Sequence, residues 1–380
     1  MRVLHVAQPV DGGVAGYLAG ACVDQVARGW AVAVACPAEG WLPARLDELG
    51  IERLRWDAVR GPGPSGAGEA RRLHRLVDRY RPGVVHLHAS KAGLAGRLYR
   101  RRGVPTVFQP HGWSWLAARG PVRAASLAWE RAAARRTDLV VCVAAQEAEV
   151  GRAAGVRGRY GVIRNGVDLD RYRPAGDGER ARARALLAVE PDAPLAVCVG
   201  RVTRQKGQDV LVSAWSRVRA HCPAAQLALV GAGDLLPGLA AAAPPGVRLA
   251  GAVPDVRDWL AAADVVVLPS RWEGLPLAAL EALATGRGLV ATAIPGLTEV
   301  VTPAVGALVR PEAPDALAEQ VVRRLRDPDL ARAEGAAAVR HAAAFDIRHT
   351  FQRLAEATEA LTGPARAGQQ PERTALAWQR

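Results

Sequence analysis

Short runs of Val, Leu and Ala recur along this chain, and each is followed by turn residues and a helical stretch. In the first half they are VLHVA, AVAVAC, VVHLH, PTVFQ and DLVVCVA; in the second, PLAVCVG, QLALVG, VRLAG, DVVVLPS and GLVAT. Runs that are apolar at every position, not at every second one, mark strands buried on both faces, and a parallel sheet covered by helices provides that environment. The stretches between them, such as 14–28 and the one ending near Arg97, supply the cover. The fold class is therefore α/β, with two Rossmann-like, doubly wound parallel-sheet domains facing a central cleft. A chain of 380 residues with half its residues apolar has material for two such cores.

The expected boundaries are 1–165 for the first domain and 166–345 for the second. The segment 161–178, GVIRNGVDLDRYRPAGDG, has the Gly, Asn, Asp and Pro of a hinge. A helix at 346–362 is expected to cross back to the first domain, and the Gln-, Arg- and Ala-rich 363–380 reads as a disordered tail. The tract GPGPSGAG at 61–68 reads as a mobile surface loop.

No run reaches the roughly 20 apolar residues of a membrane-spanning helix, and the start, MRVLHVAQPVDGG, turns polar too early for a secretory signal, so a cytoplasmic protein is expected. Five scattered cysteines inside apolar runs point to reduced core thiols. Charge is uneven: residues 1–165 hold 25 Lys and Arg against 13 Asp and Glu, the remainder 25 against 24. Either the first half faces something anionic, such as nucleic acid, an acidic lipid leaflet or a diphosphate-bearing acceptor, or its arginines reflect coding bias; both readings stand.

Pro269-Ser270-Arg271-Trp272-Glu273-Gly274-Leu275-Pro276 follows the run DVVVLPS and opens a helix through Leu280, Glu281 and Leu283. At the carboxyl end of a parallel strand, Gly274 allows close backbone approach, Pro276 suits a first helical turn, and Glu273 and Glu281 can accept hydrogen bonds from sugar hydroxyls. After PLAVCVG, Gly200-Arg201-Val202-Thr203-Arg204-Gln205-Lys206-Gly207 carries one of the chain's two lysines, the other being Lys91, amid 48 arginines. Arg201 and Lys206 between glycines make a clamp for a diphosphate leaving group. Gly231 and Gly233, after QLALV, form half of a dinucleotide fingerprint; Leu236 stands where a third glycine belongs, which argues against hydride transfer.

In the first half, Asp11-Gly12-Gly13-Val14 opens a helix whose free N–H groups can meet a phosphate or hydroxyl. His111, in Gln109-Pro110-His111-Gly112-Trp113, ends a strand on the crevice side. His86 and His88 read as core or crevice-lining residues. Asp168 and Asp170 have the spacing of a metal pair, yet they fall in the hinge without further ligands, so no metal is expected.

In this order the motifs resemble family 4 of the retaining glycosyltransferases, from Met1 to about residue 360, which implies the GT-B arrangement. The resemblance implies that Glu273 and Glu281, with seven residues between them, hold the donor sugar and the nucleotide ribose, and that Arg201 and Lys206 bind the donor phosphates. It places Gly12 and Gly13 near phosphates and acceptor, His111 at the reaction centre and Asn165 in the interdomain segment. It implies a metal-free, retaining hexosyl transfer with the nucleotide sugar as substrate and no other cofactor. Two departures bear on donor identity: Ala284-Thr285-Gly286-Arg287-Gly288 replaces the family's Ala-Cys-Gly-x-Pro, and Pro295-Gly296 its double glycine. A UDP-sugar is expected first and a GDP-sugar second.

VVHLHASKAGLAGRL and PTVFQPHGWSW resemble members that build exopolysaccharide or other envelope glycans on lipid carriers. The implied acceptor is a glycan or lipid-linked sugar, with peripheral docking of the basic half at the inner face of the cell membrane. The apolar stripe of RRLHRLVDRYR (Leu73, Leu76, Val77, Tyr80) is expected on its own sheet. Two rival readings are a sugar-nucleotide epimerase of the same fold and a nucleic-acid-binding protein; no nucleic-acid module is present and aromatics do not interleave with the basic clusters.

Overall fold

The computed structural model describes residues 1–59, 61, 63, 65–98 and 103–363, and among these every strand pairing is parallel. The first sheet holds β1 (Arg2–Ala7), β2 (Ala31–Cys36), β3 (Glu52–Arg55), β4 (Val84–His88), β5 (Thr106–Gln109), β6 (Leu139–Cys142) and β7 (Tyr160–Val162), in the order β3-β2-β1-β4-β5-β6-β7. The second holds β8 (Leu195–Val199), β9 (Gln226–Val230), β10 (Val247–Gly251), β11 (Val265–Leu268), β12 (Gly288–Thr292) and β13 (Gly306–Val309), in the order β10-β9-β8-β11-β12-β13. Both are doubly wound α/β sheets, with buried central strands as the unbroken Val, Leu and Ala runs require.

Each sheet reverses its winding once, between β1 and β4 and between β8 and β11. At such a switch point the loops leaving adjacent strands run to opposite faces and leave a crevice at the carboxyl ends. The loops at these two places are those after β1, β4, β8 and β11.

The chain crosses between the halves twice, and the crossings are paired. Val167 donates its N–H to the Phe345 carbonyl at 2.8 Å, and Ile347 donates to the Val167 carbonyl at 3.0 Å. The helix Ile347–Glu359 then lies on the first domain, where Phe351 and Leu354 pack with Tyr17, Val84, Val107 and Val141. Gly20 makes that packing close: a methyl group there would stand 2.8 Å from the Phe351 ring.

Three details differ from the sequence expectation. Residues 66–68 belong to the helix Gly66–Tyr80 and not to a mobile loop. Residues 161 and 162, assigned to the hinge, belong to the edge strand β7 (Tyr160–Val162). Pro276 is the residue before the helix Leu277–Ala284 and not its first turn. Leu73, Val77 and Tyr80 are buried on the first sheet with Leu76 packed beside them, which occupies the apolar stripe of that helix. Of the segment 363–380 only Gly363 lies within the described residues. No helix among the described residues is long and apolar enough to cross a membrane.

Candidate active site

The loops at the switch point of the second sheet are stitched together. Arg271 donates its backbone N–H to the Gln205 carbonyl at 2.8 Å, and Gln205 Nε2 reaches the Trp272 carbonyl at 3.0 Å. Gly207, at φ 67°, lies against Pro269 so closely that a methyl group would fall 2.0 Å from its carbonyl oxygen. Arg271 is anchored by Asp209 at 2.8 and 2.7 Å and by Glu312, so its charge serves the loop.

This stitching brings Lys206 Nζ to 2.6 Å from Glu273 Oε1. Ser270 Oγ donates to the same oxygen at 2.8 Å, and Glu273 is only 7 % exposed. Among the described residues Oε2 is met by Gln205 Nε2, at 3.4 Å, so this oxygen keeps accepting capacity for a hydroxyl. Arg201 sits on the strand end beside them, its carbonyl held by Gln208 Nε2 at 3.0 Å.

Glu281, on the helix Leu277–Ala284, is partly buried, and the loss of solvent around it pushes its carboxyl up to about 7. The Tyr172 hydroxyl and the charges of Arg171 and Lys206 act in the opposite direction, which puts Lys206 within electrostatic reach of both glutamates. Tyr172 and Arg171 come from the hinge, where Asp168 Oδ1 accepts the N–H groups of Asp170 and Arg171 at 3.0 Å each. Asp168 therefore closes a turn that aims Arg171 and Tyr172 toward Glu281.

The glycines chosen from sequence divide into two kinds. A methyl group on Gly231 would lie 2.1 Å from the Gly200 carbonyl oxygen, and one on Gly233 would lie 2.1 Å from that of Val202. Their close approach is thus to the Arg201 loop, which they hold in place. Gly12, at φ 77°, has open space in front of it, and Gly13 faces the Leu277 side chain at 3.5 Å across the cleft. The Leu275 side chain belongs to the core of the second domain, leaving its backbone for the site.

The first domain meets this loop directly. Asn165 Nδ2 donates to the Leu275 carbonyl at 2.7 Å, and a methyl group on Gly274 would lie 2.9 Å from Val143 Cγ2 and 3.3 Å from the Gly112 nitrogen. Gly296, at φ 86°, backs the same loop: a methyl group there would lie 1.8 Å from the Gly274 carbonyl oxygen. Gln146 links the halves by accepting from Gly296 N at 3.1 Å while its own N–H donates to Glu299 at 2.6 Å.

His111, at φ 53°, stands at the end of β5 beside Gly112. The buried Glu147 carboxylate holds that turn by accepting the N–H groups of Gly112 at 2.6 Å and Val143 at 2.8 Å, and burial pushes Glu147 up to about 7. The sequence reading passed over Glu147, Gln146, Tyr172 and Arg171. The first two stand at the start of a helix after β6, a strand-end position like the others, and that was the available signal.

Two sequence profiles match the chain, "Glycosyltransferase Family 4" over residues 11–171 and "Glycosyl transferases group 1" over 193–327. A D-inositol 3-phosphate glycosyltransferase 1 of Catenulispora acidiphila is 35% identical over 297 residues, 71% of this chain and 70% of that one. The chain belongs to glycosyltransferase family 4. Among solved structures, sucrose-phosphate synthase from Thermosynechococcus elongatus superposes with a TM-score of 0.82 at 23% identity, covering 95% of this chain and 99% of that one. Anabaena HepE in complex with UDP and glucose superposes with a TM-score of 0.81 at 21% identity, covering 95% and 100%. The architecture of the glycosyltransferase is therefore GT-B.

Beneath the cleft of the glycosyltransferase lie His5, His86 and His88, all buried on one face of the first sheet. Burial lowers His5 to about 4 and His111 to about 3, and holds His86 and His88 well below the usual imidazole value. In the unfolded chain these four rings take up protons near pH 6.5, whereas in the fold they stay neutral, so their contribution is lost as pH falls below 6.5. Glu147 and Glu281 act oppositely, because their raised folded values favour the fold as pH falls from about 7 toward 4.5. Four rings act against these two carboxyls and Glu130, which burial also raises, and the net is stability lost as pH falls from about 6 to 5, of roughly 1 kcal/mol per pH unit. His86, whose ring nitrogens have no hydrogen-bond partner within range among the described residues, tests this. His86→Leu is expected to flatten the pH dependence of the urea midpoint by about one proton; an unchanged slope would show that the rings are not held neutral.

Proposed function

We propose that this enzyme transfers a hexosyl group, with retention of anomeric configuration, from a nucleotide diphosphate sugar to a hydroxyl of a glycan or lipid-linked acceptor in envelope or exopolysaccharide synthesis. UDP is the favoured nucleotide and GDP the second. The observation that carries the reading is Lys206 against Glu273 at a switch point, with a second, partly buried carboxylate, Glu281, in electrostatic reach.

The division of labour follows from charge. Lys206 and Arg201 take the diphosphate and stabilise the negative charge that grows on it as the glycosidic bond breaks. Glu273 and Glu281 only accept hydrogen bonds when ionised, so they suit the hydroxyls of the sugar and of the ribose. Oε2 of Glu273 is the oxygen with capacity left for the sugar. Across the cleft, the N–H groups at Gly12 and Gly13, where a helix starts, and the neutral ring of His111 suit the acceptor and the reacting face of the sugar. Loss of solvent lowers His111 and makes its ring a weak base, so the departing diphosphate takes the nucleophile's proton.

Donor binding read by thermal shift tests this assignment. A donor at 100 times its Kd should stabilise the wild type by about 2.7 kcal/mol. Lys206→Ala leaves Glu273 unpaired against a diphosphate, so affinity for every UDP ligand should fall about 30-fold or more. Glu273→Ala leaves Lys206 unopposed; UDP itself should bind as well or better, while discrimination among UDP-sugars is lost. Unchanged binding in both variants would overturn the site.

The excess of 25 basic over 13 acidic residues in 1–165 supports docking of this half on an anionic surface, and Arg131, Arg135 and Arg157 share one open concavity there. Co-sedimentation with phosphatidylglycerol vesicles should fall when these three are changed to Glu and should fall with added salt. Binding that is the same to neutral vesicles would remove the membrane from the proposal.

A further inference from the structure

The buried histidines are joined to the cleft by an unbroken line of contacts. Gln25, on the helix Gly13–Ala27, presents Oε1 to His5 Nε2 at 2.8 Å. His5 Nδ1 lies 2.9 Å from His88 Nε2, and His88 Nδ1 lies 3.1 Å from His111 Nε2. His5, His88 and Gln25 are at most 1 % exposed, and His111 is half-buried at the far end. We propose that Gln25, His5 and His88 form a tautomer relay that makes His111 present an unprotonated Nδ1, a hydrogen-bond acceptor, to the cleft. The proposal rests on the reading of His111 given above and names three positioning residues for it.

A neutral imidazole has one N–H and one lone pair, so a choice made at either nitrogen decides the other. An amide oxygen can only accept. His5 must therefore carry its proton on Nε2 and offer a lone pair on Nδ1. His88 Nε2 then has to donate, which leaves its Nδ1 to accept. His111 Nε2 donates to that nitrogen, and the lone pair of His111 falls on Nδ1. With Nε2 turned inward, Nδ1 is the nitrogen on the cleft side.

The rings around the line hold it in place without joining it. His86 stacks on His88 with centroids 4.2 Å apart and 22° between planes, and neither of its nitrogens has a partner among the described residues. Tyr17 stands edge-on to His111 at 5.3 Å. Parallel pairing of β1 with β4 sets His5 against His86, and pairing of β4 with β5 sets His88 against Gln109, so the order of the rings is fixed by sheet register. Because each contact is a hydrogen bond between neutral groups, the direction of the line is uniform: turning the Gln25 amide over would reverse every link and put a donor N–H in the cleft.

An acceptor at that point orients a substrate hydroxyl through its hydrogen. A donor in the same place would turn the hydroxyl's lone pair toward the imidazole and its hydrogen away, and would so misplace the attacking group. Gln25 touches no substrate, yet on this account it sets the geometry of one.

Ring nitrogens with and without a proton differ widely in 15N shift, so long-range 1H–15N spectra of the full chain labelled at histidine read the relay directly. The expected pattern is a proton on Nε2 of His5, His88 and His111. Gln25→Met removes the terminal acceptor; His111 should then show mixed tautomers, and kcat should fall about tenfold or more with the KM for donor little changed. Gln25→Glu, whose carboxylate only accepts, should restore both the tautomer and kcat. A proton on Nδ1 of His111 in the wild type, or an unaltered His111 spectrum in Gln25→Met, would overturn the relay. Full activity in His111→Ala would instead remove His111 from the reaction, and the spectra of the wild type would still decide whether the relay exists.

Discussion

Lys206 and Glu273 face each other at 2.6 Å with little water around either, and much of the second domain is arranged to make that contact tolerable. A buried charge without a partner costs several kcal/mol, so neither residue is stable there alone. Their carriers come from separate strand ends, and the two loops are locked by Gln205, by Arg271 on Asp209, and by Gly207 pressed against Pro269. A ligand that offers a diphosphate to the lysine and hydroxyls to the carboxylate satisfies both charges at once, which is why this pair suits a nucleotide sugar better than either component.

The first domain contributes position more than charge to this pocket. Asn165, Gln146 and the paired crossings at Val167 and Asp346 fix where the Gly274 loop meets Gly112. His111 reaches the cleft through backbone in the left-handed region, a conformation costly for a non-glycine residue. Glu147, by taking two backbone N–H groups, and the histidine line beneath, by holding the ring, offset that cost. Glu281 adds a carboxyl whose raised value reflects a pocket drier than the surface, as expected for a site that must exclude water from a reactive sugar.

The central strands were legible because their environment demands unbroken apolar runs, and the switch-point loops followed from the motifs at their ends. What escaped the sequence was three of the four edges, VRLAG of β10 being the one that could be read. β3 reads ERLR, β7 reads YGV and β13 reads GALV; each is an outer strand, short and partly exposed, so burial imposes no run that could be recognised. Lys206, Glu273 and Glu281 were visible as isolated chemistry, but Tyr172 and Arg171 meet Glu281 only through a turn closed by Asp168, which the sequence offered first as a metal ligand. Gly231 and Gly233 were legible as a tight turn of glycines, but not that the carbonyls of Gly200 and Val202 occupy the space a side chain would need there. The histidine line was invisible for a related reason: His5, His88, His111 and Gln25 come from two strands, the turn after a third and a helix, and only sheet register brings them together.

The central claim is that Lys206 and Glu273 act on the donor as one coupled unit. A double-mutant cycle in UDP-sugar affinity, from wild type through Lys206→Ala and Glu273→Ala to the double variant, tests it most directly. Strong coupling is predicted: the second substitution should recover part of the affinity lost with the first, by an interaction energy of about 1 kcal/mol or more, since it removes the carboxylate left facing the diphosphate. Additivity within about 0.5 kcal/mol would mean that the two residues do not meet the same ligand, and the account would fail.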